Sequence, residues 1–435
     1  MRVGQYGPIL RNREVTSVAR IREPGASGEH VSLRSAVPAC AGLYRLVPGL
    51  AHHKTCFAGW LRGTMVDMRI HEIVALCLAS TLLASCGGGT KTAEEFDAAL
   101  VDAPGDAGPV ADAPAADANV PPQPWQYLAT SGATCANGTE TGFGLSLAPS
   151  SDTAVLFLQG GGACWESGAC YFLKAASHFE ETVRGPTVMN EVASPAMARL
   201  FDRSNPDNPF PTATMMYVPY CTGDLHAGTK VHTYDYFGPK VARHVGGLNM
   251  DAYLAKMKPL LPNVKRVILM GISAGGFGAS LTWWRVRAAF GPTVRVDVID
   301  DCGPMMNVLG DGRWGTMKAA WGLALPPDCA DCGDGLSKWM PYYATHVAAP
   351  DRYAVMAYRG DDVIGTFFGL SDAIQASQIT ALRAAAGPRQ KFFTQDGNPH
   401  VMFGQTPWPT AGGVSLGTWI HQFLVDDPAW THQGP

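Results

Sequence analysis

Short apolar runs alternate with longer stretches of helical spacing across residues 126–435. Ala154–Leu158, Met215–Val218, Arg266–Met270, Val294–Ile299, Tyr353–Tyr358 and Lys391–Thr394 are brief and mostly apolar. Such runs predict strands covered on both faces. Met250–Leu261, Phe277–Phe290, Ser371–Ala386 and Val414–Val425 repeat apolar positions three and four apart, which predicts helices. Strands alternating with helices imply an α/β fold, a mostly parallel sheet with helices on both faces. Ligands of such sheets bind where strands end at their carboxyl edge.

The first 125 residues break this pattern. Residues 1–67 mix Arg, Gly, Pro and Ser without periodicity. Met68-Arg69-Ile70-His71-Glu72 then leads into an apolar run, Ile73–Leu83, that ends Leu83-Ala84-Ser85-Cys86-Gly87. A short positive start, an apolar run and small residues at the cut describe a secretory signal over 68–85. The Leu-Ala-Ser-Cys ending resembles a bacterial lipobox, with Cys86 as the lipidated first mature residue. A signal works near a chain start, so Met68 or Met65 is the expected initiator and residues 1–67 an over-predicted upstream extension. From Cys86 to about residue 125 the chain is rich in Ala, Asp, Pro and Gly. That composition buries too little apolar surface to offset its ordering entropy and predicts a flexible acidic tether. The expected location is therefore the cell envelope, held by a lipid at Cys86, in the outer membrane or on the cell surface.

Charge sharpens the division. Residues 1–85 carry 10 Lys/Arg and 5 Asp/Glu, while residues 86–435 carry 23 and 32. The acidic balance of the longer part and the absence of a basic stripe argue against a nucleic-acid partner. No apolar stretch reaches 18 residues, so no membrane-spanning helix is expected. Seven cysteines remain after Cys86: Cys135, Cys164, Cys170, Cys221, Cys302, Cys329 and Cys332. An exported chain can form disulfides. Cys164 and Cys170 share one short loop and are the best candidate pair. Cys329-x-x-Cys332 has no second half of a zinc site, so a disulfide is expected there and no metal. An odd number leaves at least one thiol unpaired within the chain.

The chemistry-bearing residues fall at predicted strand ends. Gly271-Ile272-Ser273-Ala274-Gly275 is a G-x-S-x-G between a strand and a helix, the context of a nucleophile elbow. Glycines flank the serine because side chains there would clash with a tight turn. Gln159-Gly160-Gly161-Gly162 follows an early strand and suits an oxyanion loop. The backbone N–H groups of Gly161, Gly162 and Ala274 are its candidate donors. His400, in Asp396-Gly397-Asn398-Pro399-His400, lies after the last predicted strand, where the histidine of such hydrolases follows serine and acid. Asp361 is the first candidate acid; Asp362 and Asp301 are the alternatives.

Three segments together resemble the pectin acetylesterase/Notum family of serine carboxylesterases. They are Gly160–Trp165, Val218-Pro219-Tyr220-Cys221-Thr222-Gly223-Asp224-Leu225-His226-Ala227-Gly228, and Gly271–Gly278, in that order. The resemblance spans roughly residues 126–425. It implies an α/β-hydrolase-like fold, a Ser-Asp-His triad and no cofactor. It implies Ser273 as nucleophile, His400 as base, an acid within Asp361-Asp362-Val363-Ile364, and oxyanion donors near Gly161, Gly162 and Ala274. It also implies a Cys164–Cys170 disulfide. Some members carry an aromatic residue where this chain has Gly162-Ala163; Trp165 follows instead and is a candidate pocket wall. The expected function is hydrolysis of O-acetyl or other acyl esters, with an acylated polysaccharide such as pectin as substrate. The alternatives are a long-acyl, Notum-like esterase and an inactive surface-anchored binding protein of the same fold.

Overall fold

The computed structural model describes residues 120–435 apart from Leu309 and Asp311. The expected extension, signal and lipid site at Cys86 lie outside the described residues, as does the tether up to residue 119.

In chain order the elements are β1 (Gln126–Thr134), β2 (Glu140–Ser146), β3 (Thr153–Leu158), α1 (Gly185–Val192), α2 (Ala198–Phe201), β4 (Thr214–Val218), β5 (Lys230–Asp235) and β6 (Pro239–His244). They continue with α3 (Gly246–Met257), β7 (Arg266–Ile272), α4 (Ala274–Phe290), β8 (Arg295–Asp301), α5 (Arg313–Trp321), α6 (Trp339–His346) and β9 (Tyr353–Tyr358). The last are α7 (Asp362–Phe368), α8 (Asp372–Ala384), β10 (Gln390–Gln395) and α9 (Leu416–Leu424). Eight strands form one sheet in the order β1-β2-β4-β3-β7-β8-β9-β10. Only β2 runs against the rest. This is an α/β-hydrolase-like fold.

Alternation along each central strand sends side chains to two cores. Leu156, Leu269, Val298 and Val355 face one side, packed on α3, α4, α5, α6 and α8. Val155, Phe157, Ile268, Met270 and Met356 face the other, packed on α1, α2 and α9. Because both faces are covered, the central strands read as unbroken apolar runs. The register brings the carboxyl ends level. Leu158 pairs with Gly271, Ile272 with Asp301, Asp301 with Met356, and Tyr358 with Gln395. The segments that follow these residues therefore emerge at one edge.

Each run with a predicted type forms that element, with shifted ends. Helix α4 starts at Ala274 rather than Phe277, because the glycines before Phe277 are already helical. Strand β8 extends to Asp301, held by pairing with β7 and β9. The β1–β2 and β5–β6 hairpins have no counterpart in the sequence reading, since their apolar alternation is weak.

Cys164–Cys170 and Cys329–Cys332 are disulfides, and Cys135–Cys221 is a third that spacing did not reveal. Cys302 is the odd thiol, buried at the end of β8. Loop-closure entropy ranks the bridges. Cys135 and Cys221 stand 86 residues apart and Cys164 and Cys170 only 6. Replacing the first pair with alanine should cost about 4.5 kcal/mol and the second about 2 kcal/mol, as read from denaturant melts of the two double variants.

Candidate active site

Strand β7 delivers Ser273 into a turn with φ 57° and ψ −120°, a strained conformation for a residue with a side chain. The turn persists because its neighbours have no Cβ. One on Gly271 would lie 2.1 Å from the Gly275 carbonyl oxygen, and one on Gly275 would lie 1.9 Å from that of Leu158. Ser273 donates its N–H to the Asp301 carbonyl at 2.8 Å. The serine caps α4, whose first amides have no partner within the helix and carry the positive end of its dipole. Ala274 N–H is the first of these.

The glycine loop lies against this turn. A Cβ on Gly160 would come within 3.2 Å of the Ser273 Cβ. Gly161 and Gly162 have φ of 139° and 72°, and a Cβ on Gly162 would meet the Ala175 carbonyl oxygen at 2.0 Å. Gln159 anchors the loop from behind in three ways. Its Oε1 accepts from Tyr220 N–H at 2.7 Å, its Nε2 donates to Glu191 at 2.7 Å, and its carbonyl oxygen lies 2.8 Å from His226 Nε2. Burial pulls His226 down to about 4, so the ring is neutral, and Nε2 carries the proton it donates. Glu191 also accepts from Tyr217 O–H at 2.9 Å and from His178 Nε2 at 2.8 Å. The hydrogen bond to Glu191, with Glu181 on the other ring nitrogen, pushes His178 up to about 9. Asp224 takes Thr222 O–H at 2.6 Å and Gly246 N–H at 2.7 Å, and burial raises it to about 6. Tyr220–Gly228 is thus a buried support for the loop. Sequence reasoning did not assign Gln159, His178, Glu191 or the roles of Asp224 and His226. Their contacts cross up to 67 residues and have no local signature.

His400 Nδ1 stands 2.7 Å from Asp361 Oδ2. The other Asp361 oxygen accepts from Val363 N–H at 2.9 Å and Ile364 N–H at 3.0 Å, which makes Asp361 the N-cap of α7. Gln375 Nε2 donates to the Asp361 carbonyl at 3.0 Å. With Nδ1 donating to the carboxylate, Nε2 is the basic nitrogen, and it is buried without a hydrogen-bond partner. Neither alternative acid reaches this ring by a hydrogen bond. Asp362 is exposed and accepts from Asn398 Nδ2 at 3.1 Å. Asp301 is buried and accepts from Met402 N–H at 2.8 Å and Phe403 N–H at 2.9 Å. Cys302, Asp361 and His400 offer atoms within 4.8 Å of one another. Burial keeps the thiol protonated and Nδ1 is already committed to Asp361, so the cluster stands as a hydrogen-bonded group rather than a ready metal cage.

An apolar cleft opens at Ser273 between Gly162, Trp165, Leu225, Phe277, Met317 and Phe367. It leaves about 20 Å³ for the centre of a water-sized group. Trp165 holds its place edge-on to Trp321, with ring centroids 6.3 Å apart.

Residues 116–321 match the family described as pectinacetylesterase. The chain is 26% identical over 171 residues to palmitoleoyl-protein carboxylesterase notum2 of Xenopus laevis, covering 37% of this chain and 32% of that one. It is 28% identical over 171 residues to palmitoleoyl-protein carboxylesterase NOTUM of Drosophila melanogaster, covering 37% and 24%. The notum1a protein of Danio rerio, of the same description, is 26% identical over 167 residues, covering 36% and 30%. These matches support the pectin acetylesterase/Notum family for the matched part of the chain. The aligned segments span a third or less of these relatives' own length. The family match contains the glycine loop and Ser273 and ends before Asp361 and His400; His400 Nε2 makes no hydrogen bond to Ser273 Oγ in this structure.

The glycines give a test of the turn. Gly275→Ala forces β3 and α4 apart and should cost several kcal/mol or abolish folding. Gly315→Ala, on the exposed face of α5 with nothing within 4 Å, should stabilise by up to about 1 kcal/mol. Thermal melts of both variants check the contrast.

Proposed function

We propose that this chain is a serine carboxylesterase that removes short acyl groups, acetyl above all, from a polysaccharide. Ser273 Oγ attacks the ester carbonyl while His400 Nε2 takes its proton, and Asp361 fixes the tautomer and stabilises the imidazolium. The oxyanion is held by Ala274 N–H and by N–H groups of Gly161 and Gly162. His400 returns the proton to the leaving sugar hydroxyl. Water, deprotonated by the same nitrogen, then releases the acid and frees Ser273. The observation that carries this reading is the 2.7 Å pairing of His400 Nδ1 with Asp361, which leaves Nε2 as a buried base. The family match and the carboxylesterase-named relatives support ester hydrolysis.

Two further observations favour a short acyl group on a sugar. The cleft at Ser273 holds little more than an acetyl methyl unless Trp165 or Phe367 moves. Beside the His400 loop lies an open hollow of about 320 Å³, lined by Arg359, Asp372, Asp396 and Asn398 together with Gly360, Ala373, Ala376 and Gly397. Its Arg, Asp and Asn side chains supply donors and acceptors for sugar hydroxyls. For location, the lipobox-like ending at Cys86 supports export and lipid anchoring.

Ser273→Ala and His400→Ala should each lower kcat on a model acetate ester by several orders of magnitude, with the double variant little worse than either. Asp361→Asn should cost on the order of 10⁴ and Asp362→Asn less than about tenfold. Ser273 should be labelled by a fluorophosphonate; a folded chain that resists labelling would point to the binding-protein alternative. Acetate esters should be preferred over decanoate esters by at least about tenfold in kcat/KM. The reverse preference would favour a long-acyl substrate. Cys86→Ala should abolish incorporation of labelled fatty acid and leave the protein out of the membrane fraction.

A further inference from the structure

We propose that Asp301 is a positioning residue for this hydrolysis, a clamp that sets the separation of Ser273 from His400 by holding the main chain on both sides. The proposal rests on the reading of Ser273 and His400 as nucleophile and base. Asp301 ends β8 and is fully buried. Its carbonyl accepts the Ser273 N–H at 2.8 Å. Its carboxylate takes the two amides that follow the histidine loop, Met402 N–H on Oδ1 at 2.8 Å and Phe403 N–H on Oδ2 at 2.9 Å.

The clamp has something to hold. Val401, between His400 and these amides, has φ 70°. A β-branched residue in the left-handed region relaxes toward negative φ unless its surroundings forbid it. Two charge-assisted hydrogen bonds to one buried carboxylate supply that restraint. Asp361 fixes the ring of His400, and Asp301 fixes the main chain that carries the ring. The two acids divide the work. Burial raises Asp301 to about 6, with the amides of Met402 and Phe403 and the Cys302 thiol opposing the rise, so at neutral pH it presents two acceptor oxygens. An asparagine has one acceptor and one N–H₂, which must face an amide donor. One of the two amides then loses its partner, and Val401 is free to relax.

The test is kinetic, with a rescue. Asp301→Asn should lower kcat on the acetate ester by about 100-fold, the scale of a 1 Å misplacement, with KM within about threefold of wild type. Val401→Gly in the Asp301→Asn background should restore at least about fivefold of that loss, because glycine adopts φ 70° without restraint. A purely structural aspartate would show no such rescue. The clamp is overturned if Asp301→Asn keeps kcat within about threefold of wild type, or if the glycine restores nothing. Hydrogen exchange of the wild-type chain needs no variant. The Met402 and Phe403 amides should be protected, although they lie in a loop, and exchange as fast as the exposed Gly404 amide would also overturn the proposal. Ser273→Ala and His400→Ala run in parallel separate the two failures. If they are inactive while Asp301→Asn is not, only the clamp is wrong; if they are active, the catalytic reading fails first.

Discussion

Everything at this site depends on how closely the strand before Ser273, the helix after it and strand β3 approach one another. A Cβ on Gly275 would overlap the Leu158 carbonyl oxygen, and one on Gly276 would come within 2.4 Å of an Asp300 oxygen. The three elements are fused at van der Waals contact, and only glycine permits it. That closeness holds Ser273 at positive φ at the start of α4 and puts the glycine loop beside it. A looser junction would let the turn relax.

Buried carboxylates organise the rest of the carboxyl edge, each accepting backbone amides from a different segment. Asp361 caps a helix and faces a histidine ring. Asp301 takes two loop amides. Asp300 takes Ser280 O–H at 3.0 Å and Gly303 N–H at 2.8 Å, and burial raises it to about 7. The hydroxyl of Ser280 also bonds Tyr353, tying α4 to β9 behind the nucleophile. A buried acid is costly unless satisfied, so each specifies one arrangement of the segments that donate to it. At the opposite edge Asp297 is likewise fully buried, but it is paired with Arg266 at 2.6 Å and Arg295 at 2.8 Å. There the partners are full charges that hold strand starts together. At the carboxyl edge they are mostly neutral N–H and O–H groups, which leaves His400 as the group facing Asp361.

Support for the glycine loop comes from farther away in the chain. Gln159 reaches Tyr220, Glu191 and His226, and the Cys135–Cys221 and Cys164–Cys170 bridges brace the segments on either side. A neutral histidine, a charged histidine and a buried aspartate serve one backbone stretch, although none of them belongs to the reacting set. This is the second layer that a preorganised hydrogen-bonding site requires.

By itself the sequence determined the layered α/β architecture, because buried parallel strands need continuous apolar runs and their covering helices need spaced ones. It also determined the Ser273 turn. Glycines on both sides of a serine between strand and helix answer a local steric demand, visible without tertiary structure. Its place after the last strand made His400 the candidate histidine. Three matters were decided only by the tertiary structure. Asp361, Asp362 and Asp301 are alike in composition and position, and which one faces the His400 ring depends on the register of β8, β9 and β10. The partner of Cys135, 86 residues away, follows from folding and from no spacing rule. The size of the cleft depends on Trp165, Met317 and Phe367, brought together from three separate segments. Local sterics and periodicity act between neighbours and leave a mark in the sequence, whereas these contacts join residues that meet only once the sheet has closed.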